Sequence, residues 1–122
     1  SGDHHVAVLD WQVSMRGVGI GDVGYLLAQS LTSDVRRANE RLLVEQWYEE
    51  LATRLGGEPS GYSFDDAWDG YRRSTASMTA LPVIGGAQTD LANERGLQLG
   101  REMAQRAFSA ALELDAMSLL AD

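Results

Sequence analysis

Two groups of acidic residues stand where a carboxylate has chemistry to offer. The first is Asp10, which closes the apolar run Val6-Ala7-Val8-Leu9 and precedes Trp11-Gln12. A run of that kind, bounded by polar residues, reads as a short buried strand. A carboxylate at the point where the strand leaves the core is unfavourable unless it is paired, caps a turn or holds a cation. Pairing with Arg16 and capping are the structural roles. The functional role is a magnesium ligand, because magnesium needs only one or two protein carboxylates beside phosphate and water. The second group is Asp65, Asp66 and Asp69, interleaved with Trp68 and Tyr71. Acids beside an aromatic face suit a cation or a polyol, which makes Asp65, Trp68 and Asp69 candidate substrate contacts. The plainer reading gives the same residues to an aromatic core and to a helix N-terminus that favours negative charge.

Other chemistries find little support. The chain has no cysteine, so it offers no thiolate ligand, cysteine nucleophile or disulfide. His4 and His5 lack partners at metal-ligand spacing and read as solvated turn residues. The run Gly17-Val18-Gly19-Ile20-Gly21 matches neither phosphate-binding fingerprint: no lysine follows it, and the glycine spacing of a dinucleotide site is not met.

The elements that position these residues are mostly helices. Ser1 to His5 reads as a turn into the Val6–Trp11 strand, whose partner must come from Val13–Met15 or from chain beyond this sequence. Asp22 is placed as the N-cap of a helix over Val23–Leu31. A second helix is expected from Ser33 and Asp34 to about Leu55, with an apolar line at Leu43, Trp47, Leu51 and Leu55 and with Val35, Ala38 and Leu42 beside it. The loop Gly56-Gly57-Glu58-Pro59-Ser60-Gly61 ends it. Ser63 and Asp66 form a capping-box pattern for a third helix that stops near Pro82, followed at Val83–Ala87 by a bend or a short apolar helical turn. A last helix is expected from Thr89 or Asp90 to Leu120, with a seam at Ala92, Gly96, Leu99, Met103, Ala107, Ala110, Leu114 and Met117. The expected class is mainly α: four or so helices with a short β-hairpin or strand at the N-terminus. It forms a single domain over residues 1–122, in which 1–16 carry the metal-site strand and 17–122 the helical body.

A chain of 122 residues with 44% apolar content can bury a core of its own. The net charge is −8, from 18 acids against 10 bases, all of them arginine. That balance argues against nucleic acid and anionic membrane surfaces as partners. The apolar runs are far too short for a membrane span, and no signal-peptide pattern opens the sequence. A cytoplasmic setting is the resulting expectation.

The combination Leu9-Asp10-Trp11-Gln12, Arg16-Gly17 and Gly21-Asp22-Val23-Gly24-Tyr25-Leu26-Leu27 resembles the aminoglycoside phosphotransferase and choline kinase superfamily. It looks most like the ecdysteroid-kinase-like branch. The resemblance implies the C-terminal part of a kinase-like fold, in an enzyme that moves the ATP γ-phosphoryl group to the hydroxyl of a small-molecule acceptor. By the same resemblance Asp10 would bind magnesium bridging the ATP phosphates. Asp22 would brace the catalytic loop from below, and the later helices would form the acceptor wall with Trp11 at its edge. The family's catalytic loop, His-Gly-Asp with a following Asn, is absent, and so is any lysine to grip phosphate. No catalytic residue is therefore expected in this segment. By the resemblance the base would lie upstream, a missing N-terminal lobe would pack on these residues and hold most of the ATP, and the segment alone would be inactive. The rival expectations are a non-catalytic helical interaction domain, with the Ala92–Met117 seam as its partner surface, and a degenerate pseudokinase fragment.

Overall fold

Local backbone signals set most of the helix boundaries. The computed structural model describes residues 16–88 and 92–120, together with Ala7 and Asp90. The expected N-terminal strand and hairpin, with Asp10 and Trp11, lie outside the described residues. Within them the chain is mainly helical: α1 (Ile20–Ser30), α2 (Ser33–Leu55), α3 (Phe64–Met78), α4 (Ala80–Gln88), α5 (Glu94–Glu113) and a closing 3₁₀ helix, Ala116–Leu120. No described helix is long and apolar enough to cross a membrane.

The start of α1 corrects the expected cap. The helix begins at Ile20 rather than Val23, with Gly19 in the cap position and no side-chain cap. Gly21 N–H closes the preceding turn on the Val18 carbonyl at 2.9 Å, and Ile20 is drawn into the core. Asp22 therefore lies in the first turn, exposed, where it complements the helix dipole instead of capping the chain.

Helix α2 runs over the expected span but buries a different line. Val44 is fully buried, and the residues one and two turns before it on the same face, Glu40 and Arg36, are buried too. Leu43 and Trp47 pack at the edge of the core, whereas Val35, Leu42 and Leu55 are exposed. The helix ends in a left-handed Gly56 at φ 75°. There Gly57 N–H bonds the Ala52 carbonyl and Gly56 N–H the Thr53 carbonyl, a Schellman closure that glycine adopts without Cβ strain.

Ser63 caps α3 as its sequence predicts. The Asp66 N–H donates to Ser63 Oγ at 3.2 Å, and the Ser63 N–H returns a bond to Asp66 Oδ2 at 2.7 Å. The third helix already ends at Met78, and the stretch after Pro82, read as a bend or a short apolar helical turn, is helical and belongs to α4. Pro82 falls in its first turn, where the missing N–H has no intrahelical acceptor to lose. The last helix is shorter than expected. Asn93 caps it by accepting from Gly96 N–H at 2.9 Å, and Asp90 forms a separate turn by accepting from Ala92 N–H at 2.9 Å. Asp115, at φ 47°, ends the α-helical run, and the 3₁₀ helix follows.

The core gathers Ile20 and Leu27 of α1, Val44 of α2 and Tyr71 of α3, ringed by Val23, Leu31, Trp47, Phe64, Trp68 and Leu114. Helix α1 packs most extensively on α3. The crossing is close because Gly24 faces Ser74: a Cβ on Gly24 would stand 1.6 Å from Ser74 Oγ. Small residues also make the second core cluster, Ala76, Ala111 and Ala116, where α3, α5 and the 3₁₀ helix meet.

Three helix C-termini are closed by side chains from elsewhere in the fold. Arg106 of α5 donates to the carbonyls of Gln29 and Ser30 at 3.3 and 3.2 Å, at the end of α1. Gln29 donates to the Met78 carbonyl at 3.2 Å, at the end of α3. Arg72 donates to the carbonyls of Leu114 and Asp115 at 2.8 and 3.2 Å, just past α5. Each donor satisfies acceptors that a helix end cannot satisfy internally, and the two arginines also place positive charge where the dipole favours it.

Candidate functional site

Two clefts meet at the N-terminal end of α3. One, of about 480 Å³, lies between the start of α1 and α3, with Val18 and Ile20 on its apolar side and Asp66, Asp69, Gly70 and Arg73 along α3. The other, of about 590 Å³, lies between α2 and the loop before α3 and is lined by Tyr48, Pro59, Phe64 and Asp65 among others. Gly61, Tyr62 and Asp66 line both. Gly61 sits in the left-handed region at φ 72°, so the loop turns there without a side chain. Gly70 keeps the α3 wall low: a Cβ there would meet Ile20 Cγ2 at 3.0 Å and lie 3.9 Å from the Tyr62 hydroxyl.

Tyr62 is the shared wall. Its backbone carbonyl accepts from the Tyr48 hydroxyl at 3.0 Å, and the two rings sit 6.3 Å apart. Its own hydroxyl oxygen is buried and has no hydrogen-bond partner in this structure. Desolvation, then the negative charge of Asp66 and the neighbouring Tyr48, hold the phenol above its ordinary pKa, so it stays protonated and able to donate.

The acids predicted to line a substrate wall are separated by the fold. Asp65 faces the α2 side and Asp69 the α1 side. Asp69 is paired with Arg72 at 3.0 Å. Asp66, which the sequence offers both as a cap and as one of the wall acids, lines both clefts, and its carboxylate is held by the Ser63 hydroxyl at 2.6 Å as well as by the Ser63 N–H. Those bonds hold it below the usual carboxylate range. Trp68 lines neither cleft. Its ring packs on Tyr71 at 5.3 Å and carries the Arg41 guanidinium at 5.2 Å on its face, so it belongs to the margin of the core. Asp22 has no side-chain partner among the described residues, and the loop it was expected to brace lies outside them.

A buried polar cluster, not anticipated from the sequence, sits on the other side of α3. Arg36 is 1% exposed and donates to Glu40 Oε2 at 2.5 Å, and the Tyr71 hydroxyl donates to the same oxygen at 2.8 Å. Arg36 also pairs with Glu113, which takes a second arginine, Arg37, at 2.8 Å and the Ser109 hydroxyl at 2.7 Å. Burial pushes the Tyr71 phenol well above its ordinary pKa, and its bond to Glu40 adds to that. For Arg36 burial opposes the charge, but the two glutamates outweigh it and the guanidinium is held more firmly protonated. The Ser109 hydroxyl, followed by the two arginines, holds Glu113 below the usual carboxylate range against a desolvation penalty. Every charge in the cluster is partnered, which marks it as a structural tie between α2, α3 and α5.

With this geometry in place, the comparisons are brief. A family profile described as "Uncharacterized oxidoreductase dhs-27" matches residues 4–113. The chain belongs to that family, which falls in the ecdysteroid-kinase-like group. No curated protein and no solved structure matches it. The group agrees with the resemblance carried by Asp10-Trp11-Gln12 and Asp22. The activity does not: the family is named for an oxidoreductase, and the expectation of a phosphotransferase is corrected accordingly. That expectation rested on one motif in the first quarter of the chain. The residues that would carry phosphoryl transfer, a catalytic base with its Asn and a phosphate-gripping lysine, are not in the sequence.

Proposed function

We propose that this chain is the helical, ligand-binding part of its parent protein, and that the cleft between α1 and α3 takes a small hydroxylated organic molecule. The observation that carries this is the Tyr62 hydroxyl: buried, unpartnered, and in a wall shared by two clefts. A buried hydroxyl without a partner is unfavourable by about 1–3 kcal/mol, and a ligand hydroxyl or carbonyl would remove that penalty. The apolar side at Val18 and Ile20 offers burial for a hydrocarbon body, the usual division of labour in a small-molecule site. In an oxidoreductase parent, redox chemistry would reside in chain outside these residues. The glycine run before α1 lacks dinucleotide spacing, and Gly19 packs against Trp47, where a Cβ would already touch the indole at 3.4 Å.

The test is amide shift mapping of the ¹⁵N-labelled chain with phenol and myo-inositol as hydroxylated probes. Saturable shifts clustered at Gly61, Gly70 and Ser74, weakened in Tyr62→Phe, are expected. Shifts that do not saturate, or that map elsewhere, would overturn the reading.

Asp10 is also proposed as a magnesium ligand, on its place in the sequence alone, directly after the apolar run Val6–Leu9. Calorimetric titration of magnesium, with and without ATP, into wild type and Asp10→Asn tests it. Equal heats in the two proteins would remove Asp10 from the role.

A helical interaction domain is the second reading. Leu99 is 61% and Leu112 75% exposed on α5, beside an exposed Phe108, while α4 exposes Val83 and Ile84. Ala107 and Ala110 of the expected seam are consumed inside the fold, so a partner would meet the outer face of α5 rather than the seam. Concentration-dependent light scattering, compared with Leu112→Glu, tests for self-association.

A further inference from the structure

We propose that the ligand of the α1–α3 cleft is an anion, a hydroxylated carboxylate or a close equivalent, bound by Arg73 and Tyr62 together. This rests on the cleft being a ligand site and goes beyond it by assigning the charge of the ligand. The sequence alone points the other way, because Asp65, Asp66 and Asp69 near an aromatic helix suggest a cation. The structure changes that inference by showing what each acid already does. Asp66 accepts from the Ser63 hydroxyl and N–H, and Asp69 is paired with Arg72 at 3.0 Å. Asp65 lies in the neighbouring cleft.

Arg73 lines the α1–α3 cleft, is exposed, and makes no ion pair among the described residues. Of the charged groups lining that cleft it is the one whose side chain has neither an ion-pair nor a hydrogen-bond partner among the described residues; Asp66 has its Ser63 bonds and Asp69 has Arg72. A guanidinium presents a planar fork of donors that matches a carboxylate, whereas a ligand ammonium would share Asp66 with Ser63 or Asp69 with Arg72. Tyr62 supplies the second, neutral contact to a ligand hydroxyl, and Val18 with Ile20 bounds the body between them.

Two probes of one shape and opposite charge decide the matter. 4-Hydroxyphenylacetate and tyramine share a phenol ring and differ in carrying a carboxylate or an ammonium. Each is titrated into the 122-residue chain and followed by amide shifts at Gly61, Gly70 and Ser74. The acid is expected to bind about tenfold tighter than the amine, the worth of one charge-assisted contact. Arg73→Gln, at an exposed position, should erase that preference. Tyr62→Phe, which removes a hydroxyl without a hydrogen-bond partner among the described residues, should weaken both probes by about fivefold. Tyramine binding equally or more tightly at these amides would leave the cleft a ligand site and overturn the anion assignment. The same holds if Arg73→Gln keeps the preference. If neither probe moves these amides, both the assignment and the cleft reading fall.

Discussion

The Tyr71 hydroxyl donates to Glu40 Oε2 at 2.8 Å, on the same oxygen that receives Arg36 at 2.5 Å. One carboxylate oxygen thus joins α3 to α2 through a neutral donor and a charged one. Both donors are buried, and neither has water to replace the glutamate.

Arg36→Met is expected to destabilise the fold by about 3–5 kcal/mol, because Glu40 would remain buried without its cation. Replacing both partners, as Arg36→Met with Glu40→Leu, should recover part of the loss, since an apolar pair leaves no stranded charge. Urea unfolding midpoints of the two variants check this. Equal destabilisation in the single and double variants would contradict it.

Tyr71→Phe should lower stability near neutral pH by about 1 kcal/mol, the worth of one hydrogen bond. At alkaline pH that deficit should narrow. The folded protein holds the phenol protonated above its ordinary pKa, while the unfolded chain releases the proton near the ordinary value of 10. Tyr71 therefore contributes fully below about pH 10, and stability falls as pH rises beyond it, by at most about 1.4 kcal/mol per pH unit. The alkaline decline should be shallower in Tyr71→Phe, as read from thermal melts between pH 8 and 11.

Acid acts on other groups. Asp66 and Glu113 are both held below the usual carboxylate range in the fold, so their contribution is present above that range and is lost as pH falls through their lowered values. Ser63→Ala removes the hydroxyl that holds Asp66 and should cost about 1 kcal/mol of stability at neutral pH. The variant's deficit should narrow in acid. A constant gap between wild type and variant from pH 7 to pH 3 would show that Asp66 is not linked to the cap.

Gly24→Ala should destabilise by about 1–3 kcal/mol, as overpacking does in a filled crossing, because its Cβ would fall on Ser74. Adding Ser74→Gly opens the facing position and should restore part of the loss. A double-mutant cycle by chemical denaturation measures that coupling. Additive losses would mean that the helices separate instead of meeting at this pair.

What could be read in advance follows from how local the signal was. Ser63 with Asp66, and Gly56 at the end of α2, act through bonds within a few residues, and the structure keeps both. Pro82 misled because proline both stops a helix and opens one, and only its neighbours' geometry separates the two outcomes. Asp22 misled in a similar way: a good capping residue lost the position because Ile20 was worth burying three residues after Gly17. Arg36 could not have been placed. An arginine in the polar run Asp34-Val35-Arg36-Arg37 reads as solvated until Tyr71 and Glu113 are known to arrive beside it. Tyr62 and Arg73 show the same limit for the candidate site. Neither belongs to a spaced motif, and their interest lies in what they fail to touch.

The ties at the helix ends also bear on how the chain reaches its fold. Arg106 meets Gln29 and Ser30 across 77 and 76 residues, and Arg36 meets Glu113 across 77. Helical proteins usually fold quickly because their contacts are near in sequence, and closing long loops slows them. During synthesis, α1 must wait for α5 before its end is sealed and Arg36 meets its second carboxylate, whereas α2 closes on its own Gly56 and Gly57. A nascent chain halted before Arg106 would leave the Gln29 and Ser30 carbonyls without that arginine and Arg36 paired with Glu40 alone. Completion of α5 is therefore the step that closes the end of α1 and gives Arg36 its second carboxylate.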